Sequence, residues 1–221
     1  MQNELAHRLA RLRTALGSHQ IDAALVGPSA DFRYLTGHPA SESERLTVLV
    51  VPCEGECTLL VPELESPKFT DFPFGRLDRW RDGDDPIDLL ARRLLDLDAR
   101  TIGVNDQFRA GFLLPLQERL TGRRFARISP LIQELRIVKS PAELSLLREA
   151  IARVDAAWAR FCAEGRLVGR TERQVARQLS EFLLEEGLDE VAFCIVASGP
   201  NAASPHHEPG DRIIQDGDPV V

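Results

Sequence analysis

The sequence lacks the features that mark several classes of protein. Lysine and arginine number 27 against 34 aspartates and glutamates, so the net charge is −7 and no basic excess is available to bind nucleic acid. No apolar run approaches the roughly 20 residues of a membrane-spanning helix. The N-terminus has no basic segment followed by a continuous apolar core, which argues against a signal peptide. We therefore expect a cytoplasmic protein with neither a nucleic-acid nor a membrane partner.

Cysteine is also scarce, with four residues in the chain. Cys53 and Cys57 flank a short turn, and a metal or redox role for this pair stays open. No second pair with ligand spacing accompanies them, because Cys162 and Cys194 stand alone. We expect free thiols, buried or half-buried, in a reducing compartment.

Apolar residues are sufficient for a core, with 43% hydrophobic and 28% charged residues. Strand and helix patterns alternate through about residue 130, which favours a mixed α/β domain. The predicted elements are a helix over 3–19, a strand over 21–26, a short helix capped by Ser29, a hairpin of strands 46–51 and 57–61, a strand over 76–80, a helix from Pro86, a strand over 101–104, a helix over 110–120 that Pro115 bends or delays, a strand over 125–128 and a short helix over 130–135.

The pattern changes after residue 138. Ser140 and Glu143 form a capping box that predicts a long helix over 142–164. A second capping box at Thr171 and Gln174 opens a helix that ends at Gly187, and residues 191–196 resemble a strand. One apolar face is predicted on the long helix: Leu144, Leu147, Ile151, Val154, Trp158 and Phe161. We place two domains at residues 1–138 and 139–221.

Side chains that could take part in catalysis or metal binding cluster on a loop near the end of the chain. Residues 198–212 contain three prolines and two glycines, which fix a loop, and they carry His206, His207 and Glu208. Three interpretations stay open: a solvated polar loop, a metal site, and a single histidine that contacts substrate or an oxyanion. Adjacent histidines on an extended segment point to opposite sides, so the two are not expected to bind the same ion.

The last residues predict a turn at Gly217 and Asp218, followed by an apolar strand over 219–221. Asp211, Asp216 and Asp218 flank this turn, and we interpret them as turn formers rather than metal ligands. A folded domain rarely stops within a core strand, so we expect the chain to be a fragment or a truncated product.

Three segments together resemble the pita-bread metallopeptidases, the family of the Xaa-Pro dipeptidases, aminopeptidases P and creatinases. The sequence Ser-Gly-Pro-Asn-Ala-Ala-Ser-Pro-His-His at 198–207, with Gly-Asp-Pro-Val-Val at 217–221, is similar to the start of their catalytic domain. Residues 137–143 are similar to the entry into that domain. Residues 31–37, followed by Glu44 and Arg45 before an apolar strand, are similar to a segment of the N-terminal domain.

The resemblance implies a creatinase-like α/β N-terminal domain followed by the beginning of an α+β pita-bread domain. It also implies an exopeptidase that cleaves the bond before proline in small peptides, with two divalent cations, manganese, cobalt or zinc, in the full-length protein. No metal ligand is expected in this chain, which is predicted to be inactive alone. His206 matches the family's loop histidine and is the expected catalytic and substrate-binding residue, with His207 beside it in the substrate-binding loop.

The resemblance further implies a homodimer, in which Asp31, Arg33, Tyr34 and His38 are candidates for lining a neighbour's pocket. Two alternative functions stay open beside the peptidase. A creatinase-like amidinohydrolase would use the histidine without metal, and a non-catalytic pita-bread module would bind a partner instead.

Overall fold

A computed structural model describes residues 2–39 and 41–221 of the chain. The chain forms two compact units, the first ending at Val138 and the second spanning Lys139–Val221. The first unit holds two buried apolar clusters, and the second holds a smaller one.

A six-stranded mixed sheet is the centre of the first unit. Its strands are β1 (Ala23–Val26), β2 (Val48–Pro52), β3 (Cys57–Pro62), β4 (Gly75–Trp80), β5 (Thr101–Val104) and β6 (Arg124–Arg127). They lie in the order β4-β3-β2-β1-β5-β6. β2 is antiparallel to both β1 and β3, so the predicted hairpin is confirmed, and the remaining pairs are parallel.

Helices cover both faces of this sheet. They are α1 (Gln2–Ser18), α2 (Ala30–Thr36), α3 (Pro86–Asp96), α4 (Ala110–Arg119) and α5 (Ser129–Ile137), with a 3-10 helix at Glu63–Phe69. Apolar side chains of α1, α2 and α5 pack in one cluster, and those of α3 and α4 pack in the other. The predicted mixed α/β architecture is confirmed. It has three layers, with the sheet between two layers of helices.

Local sequence signals set several of these helix ends. Ser29 accepts a hydrogen bond from the Phe32 amide at 3.2 Å, and Gly37 ends α2 in the left-handed conformation, at φ 78°. Pro115 neither delays nor ends α4, which starts at Ala110. Of the two predicted effects of Pro115, the delayed start was wrong, because Pro115 removes one backbone donor while its neighbours keep theirs. The predicted bend of the helix stays a prediction.

All four cysteines are free thiols, but the expectation that they are buried or half-buried was wrong for Cys162, which is exposed. Cys57 is buried and Cys53 is half-buried, and burial raises the pKa of both thiols. Within residues 2–39 and 41–221, no group of three or more histidine, cysteine, aspartate or glutamate side chains could hold a metal ion. In the same part of the chain, no helix is long and apolar enough to cross a membrane.

The second unit contains two long helices, α6 (Pro141–Glu164) and α7 (Glu172–Glu185), and a 3-10 helix at Gly199–Ala203. Both predicted capping boxes are present, because Ser140 pairs with Glu143 and Thr171 pairs with Gln174 in both directions. Each box satisfies two backbone amides that would otherwise lack partners at a helix start.

The apolar face of α6 is mostly exposed. Phe161 is buried in the cluster that α6 shares with α7, whereas Ile151 is 58% exposed and Trp158 is 55% exposed. Residues 191–196 form no strand, so that prediction was wrong. These residues have a strand-like composition, but no strand among the described residues pairs with them. The nearest β-bridge is formed by the following Ser198, which pairs with Val220.

Candidate functional site

The start of α7 and the loop over 198–210 meet at one buried carboxylate. Glu172, the first residue of α7, is completely buried. Thr171 caps the helix by accepting a hydrogen bond from the Gln174 amide at 3.2 Å, which places the Glu172 carboxylate at the positive end of the helix.

Five hydrogen bonds converge on the Glu172 carboxylate. Oε1 accepts from the Ser198 amide at 2.7 Å, the Ser198 hydroxyl at 2.8 Å and the Asn201 side-chain amide at 3.0 Å. Oε2 lies 2.7 Å from His207 Nε2 and accepts from the Gly210 amide at 3.2 Å. The carboxylate therefore ties both ends of the loop to α7.

The pKa of Glu172 reflects two opposing effects. Burial alone would raise it, but hydrogen bonds from His207, Asn201 and Ser198 stabilise the charged form more strongly. They hold the pKa of this carboxyl well below its ordinary value of 4.5. Glu172 is thus a permanent anion near neutral pH, and since it can only accept, His207 Nε2 carries the hydrogen in this contact.

An ion pair between Arg212 and Asp218 contacts the first residue of the loop, Ser198. Arg212 donates to Asp218 through two nitrogens, at 2.6 and 3.1 Å, and to the Ser198 hydroxyl at 2.8 Å. The Arg212 hydrogen bond lowers the pKa of Asp218. Gly199 lies directly against this pair at φ +52°, where an added Cβ would come within 2.4 Å of Arg212 Nη2. A side chain at position 199 would therefore push the pair apart.

Backbone pairing fixes where the loop starts and how the last residues lie. The Ala197 amide donates to the Val221 carbonyl at 2.8 Å, and the Val221 amide donates back at 2.9 Å. The Gly199 amide donates to the Pro219 carbonyl at 2.9 Å. The segment predicted as a final strand thus pairs with the residues that lead into the loop.

The two predicted site histidines have different environments. His207 is half-buried and held by Glu172, as described above. His206 is exposed, and among the described residues no hydrogen bond to its imidazole is present. Its ring nitrogens are therefore free to meet a ligand at the loop surface, whereas those of His207 are partly committed to holding the loop.

The three aspartates interpreted as turn formers do not converge on one point. Asp218 is paired with Arg212, and Asp211 lies 3.1 Å from Arg173 Nε. Asp216 is exposed at the turn. The described residues thus offer no ligand set for the two cations that the resemblance implies.

The predicted partner-pocket candidates make contacts inside the first unit. Asp31 is buried and pairs with Arg136 at 2.6 Å. The Tyr34 hydroxyl donates to the Leu135 carbonyl at 3.3 Å, and His38 lies 3.2 Å from Asp71. Arg33 is exposed.

Sequence reasoning missed Glu172, which anchors the loop. Its only local signal is an acidic residue at the first position of a capped helix, which is typical of many helices with no further role. The partners of Glu172 lie 26 to 38 residues further along the chain, so the contact depends on tertiary structure.

Comparison with known proteins gives two family matches in chain order. Residues 8–138 match the Creatinase/Prolidase N-terminal domain, and residues 145–221 match metallopeptidase family M24. Among curated relatives, the probable dipeptidase PepE of Mycobacterium tuberculosis is 37% identical over 220 residues, covering 98% of this chain and 58% of the relative.

Solved structures of similar proteins extend over nearly the whole chain. A recombinant prolidase from Thermococcus sibiricus superposes with a TM-score of 0.90 at 33% identity, covering 96% of this chain and 59% of the other. The dipeptidase PepE from Mycobacterium ulcerans superposes with a TM-score of 0.86 at 38% identity, covering 99% and 59%. This chain therefore spans somewhat less than three fifths of the length of these relatives.

Proposed function

Since the chain belongs to the family of the Creatinase/Prolidase N-terminal domain and its residues 145–221 match metallopeptidase family M24, we propose that it is part of an Xaa-Pro dipeptidase or aminopeptidase P. The substrate is a small peptide with proline in second position, and the reaction is hydrolysis of the bond before that proline. The matches over both units and the relatives called prolidase and dipeptidase support this proposal.

The observation that carries the site proposal is the loop anchored on Glu172, which leaves His206 exposed. In this proposal the His206 imidazole donates a hydrogen bond to the carbonyl oxygen of the scissile bond as negative charge develops there. His207 holds the loop through Glu172 and borders the bound peptide. Because Glu172 anchors the loop before substrate arrives, the backbone that carries His206 needs little reorganisation in the transition state.

Two divalent cations, manganese, cobalt or zinc, belong to the proposal for the whole protein. Such ions in general polarise a carbonyl and lower the pKa of bound water. The described residues do not fit them, because no group of three or more suitable side chains is present. In this proposal, the ligands of the two cations are side chains other than those that the structure describes. A homodimer in the cytoplasm is part of the same proposal.

The test compares two histidine variants of the full-length protein that contains this chain. His206→Ala is expected to lower kcat for release of proline from Ala-Pro by about 100- to 1000-fold, as for the loss of one oxyanion donor. His7→Ala is the matched control, because His7 is an exposed histidine on α1. The assays contain Mn²⁺, Co²⁺ or Zn²⁺ in turn.

Two results would contradict the proposal. Unchanged turnover in His206→Ala would remove the role assigned to this imidazole. Metal-independent release of urea from creatine, without cleavage of Ala-Pro, would instead identify an amidinohydrolase.

A further inference from the structure

The first unit contains a cleft between the edge strand β4 and helix α3. Its volume is about 300 Å³. Buried Leu60 and Leu90 form part of an apolar floor, and charged side chains from β4 and α3 surround it. We refer to it as the β4–α3 cleft.

Positive charge predominates around this cleft, although the whole chain is acidic at a net charge of −7. Four arginines line it, against two aspartates, Asp78 and Asp96. The arginines are Arg76 and Arg79 on β4 and Arg92 and Arg93 on α3. A local surplus of guanidinium groups over an apolar floor favours a ligand that carries both an anionic and an apolar part.

Arg93 is positioned to bind an anion. Its Nε donates to the hydroxyl of buried Thr58 at 2.8 Å, which fixes the guanidinium plane. No carboxylate in the described part of the chain lies within 4.0 Å of Arg93. The two terminal nitrogens of Arg93 are thus oriented without an internal counter-ion, a geometry suited to a carboxylate or phosphate.

The neighbouring arginines are held less firmly. Arg76 pairs with Asp78 at 2.7 Å and Arg92 pairs with Asp88 at 2.7 Å, and more than half of each arginine side chain is exposed. Exposed pairs of this kind contribute only about 0–1 kcal/mol. An incoming anion can therefore displace either aspartate at small cost.

We propose that the β4–α3 cleft is a binding site for a small organic anion, a carboxylate or phosphate monoester on a compact apolar body. The volume is at the lower end of the range of ligand pockets, roughly 300–1000 Å³, which fits one small molecule and no polymer. The site lies wholly in the first unit, and none of its residues belongs to the loop over 198–210. It is independent of the proposed peptidase activity.

Calorimetric titration of the 221-residue chain tests the ligand class with four probes. Phenyl phosphate and benzoate represent the two anion types, benzyl alcohol lacks the charge, and inorganic phosphate lacks the apolar body. We expect saturable one-to-one binding of at least one of the first two. The affinities of benzyl alcohol and inorganic phosphate should be at least about tenfold lower, because the first makes no charged contact with the arginines and the second makes no contact with the apolar floor.

Variants then locate the site. Arg93→Gln and Arg76→Gln should each weaken binding of the better probe by about tenfold or more, as expected for loss of a charged hydrogen-bond donor. Arg100→Gln is the control, because it removes the same charge from an exposed side chain outside the cleft. Thermal unfolding of each variant verifies folding, and Arg76 on the exposed edge provides the answer if Arg93→Gln fails to fold.

Three outcomes would overturn the proposal. The first is no saturable binding of either anionic probe, which would leave the arginines as charges that keep an edge strand from pairing. The second is equal weakening by Arg100→Gln, which indicates attraction to charge in general. The third is equal affinity for inorganic phosphate and phenyl phosphate, which would show that the apolar floor contributes nothing to binding.

Discussion

A buried carboxylate without hydrogen-bond partners destabilises a fold by several kcal/mol. Glu172 avoids that penalty because five donors from Ser198, Asn201, His207 and Gly210 surround it. The same bonds define the loop that carries His206. At the scale of single residues, the geometry of the candidate site thus depends on a side chain that lies below its surface.

Glu172→Gln is expected to destabilise the second unit by about 2–3 kcal/mol, because an amide group cannot accept at both ends and would face donors such as the Gly210 amide. Hydrogen–deuterium exchange over 198–210 and urea unfolding measure the effect. Exchange in the loop should accelerate more than exchange in β5.

The matched control is Glu181→Gln, an exposed position on the same helix. It makes the same change in charge, and its effect should stay within about 0.5 kcal/mol. Equal effects of the two substitutions would show that the buried hydrogen bonds contribute nothing beyond charge.

The lowered pKa of Glu172 predicts a dependence of stability on pH. The carboxyl binds a proton more readily in the unfolded chain than in the folded chain, so acid favours unfolding. Its stabilising contribution is complete above about pH 5–6 and declines as the pH falls below about 4.5. Urea unfolding between pH 3 and 7 should show a shallower acid decline for Glu172→Gln than for the unmodified chain. Parallel curves would contradict this.

At the scale of helices and strands, local signals were sufficient wherever the determining contacts are close in sequence. Ser29, Ser140 and Thr171 each cap a helix as predicted, and the β2–β3 hairpin follows from its short turn. The sheet order was not predictable, because β5 pairs with β1 across a long separation. Residues 191–196 have strand-like composition but lack a partner, since pairing is a tertiary property.

Ser140→Ala tests one such signal at the start of α6. Loss of the hydroxyl leaves the Glu143 amide without its acceptor at 3.2 Å and should lower the free energy of unfolding of the second unit by about 1 kcal/mol. Circular dichroism during thermal unfolding measures it.

Ser145→Ala on the same helix is the control for that substitution. Alanine has the higher helix propensity, so a neutral or slightly stabilising effect is expected there. Equal destabilisation at positions 140 and 145 would argue against a role for the cap.

At the scale of the whole molecule, the chain combines a unit built on a six-stranded sheet with a smaller unit that matches metallopeptidase family M24. The described residues contain no cluster that could hold a metal. We therefore expect the 221-residue chain to release no proline from Ala-Pro in the presence of Mn²⁺, Co²⁺ or Zn²⁺. Proline release that a chelator abolishes would refute this expectation.

The exposed apolar face of α6 should affect how the chain behaves in solution. Leu147, Ile151 and Trp158 expose apolar side chains to water on one face of this capped helix. We therefore expect the 221-residue chain to self-associate at high concentration and to bind detergent micelles. Glutamine or lysine at these three positions should reduce both effects and leave the residues of the loop and the cleft unchanged.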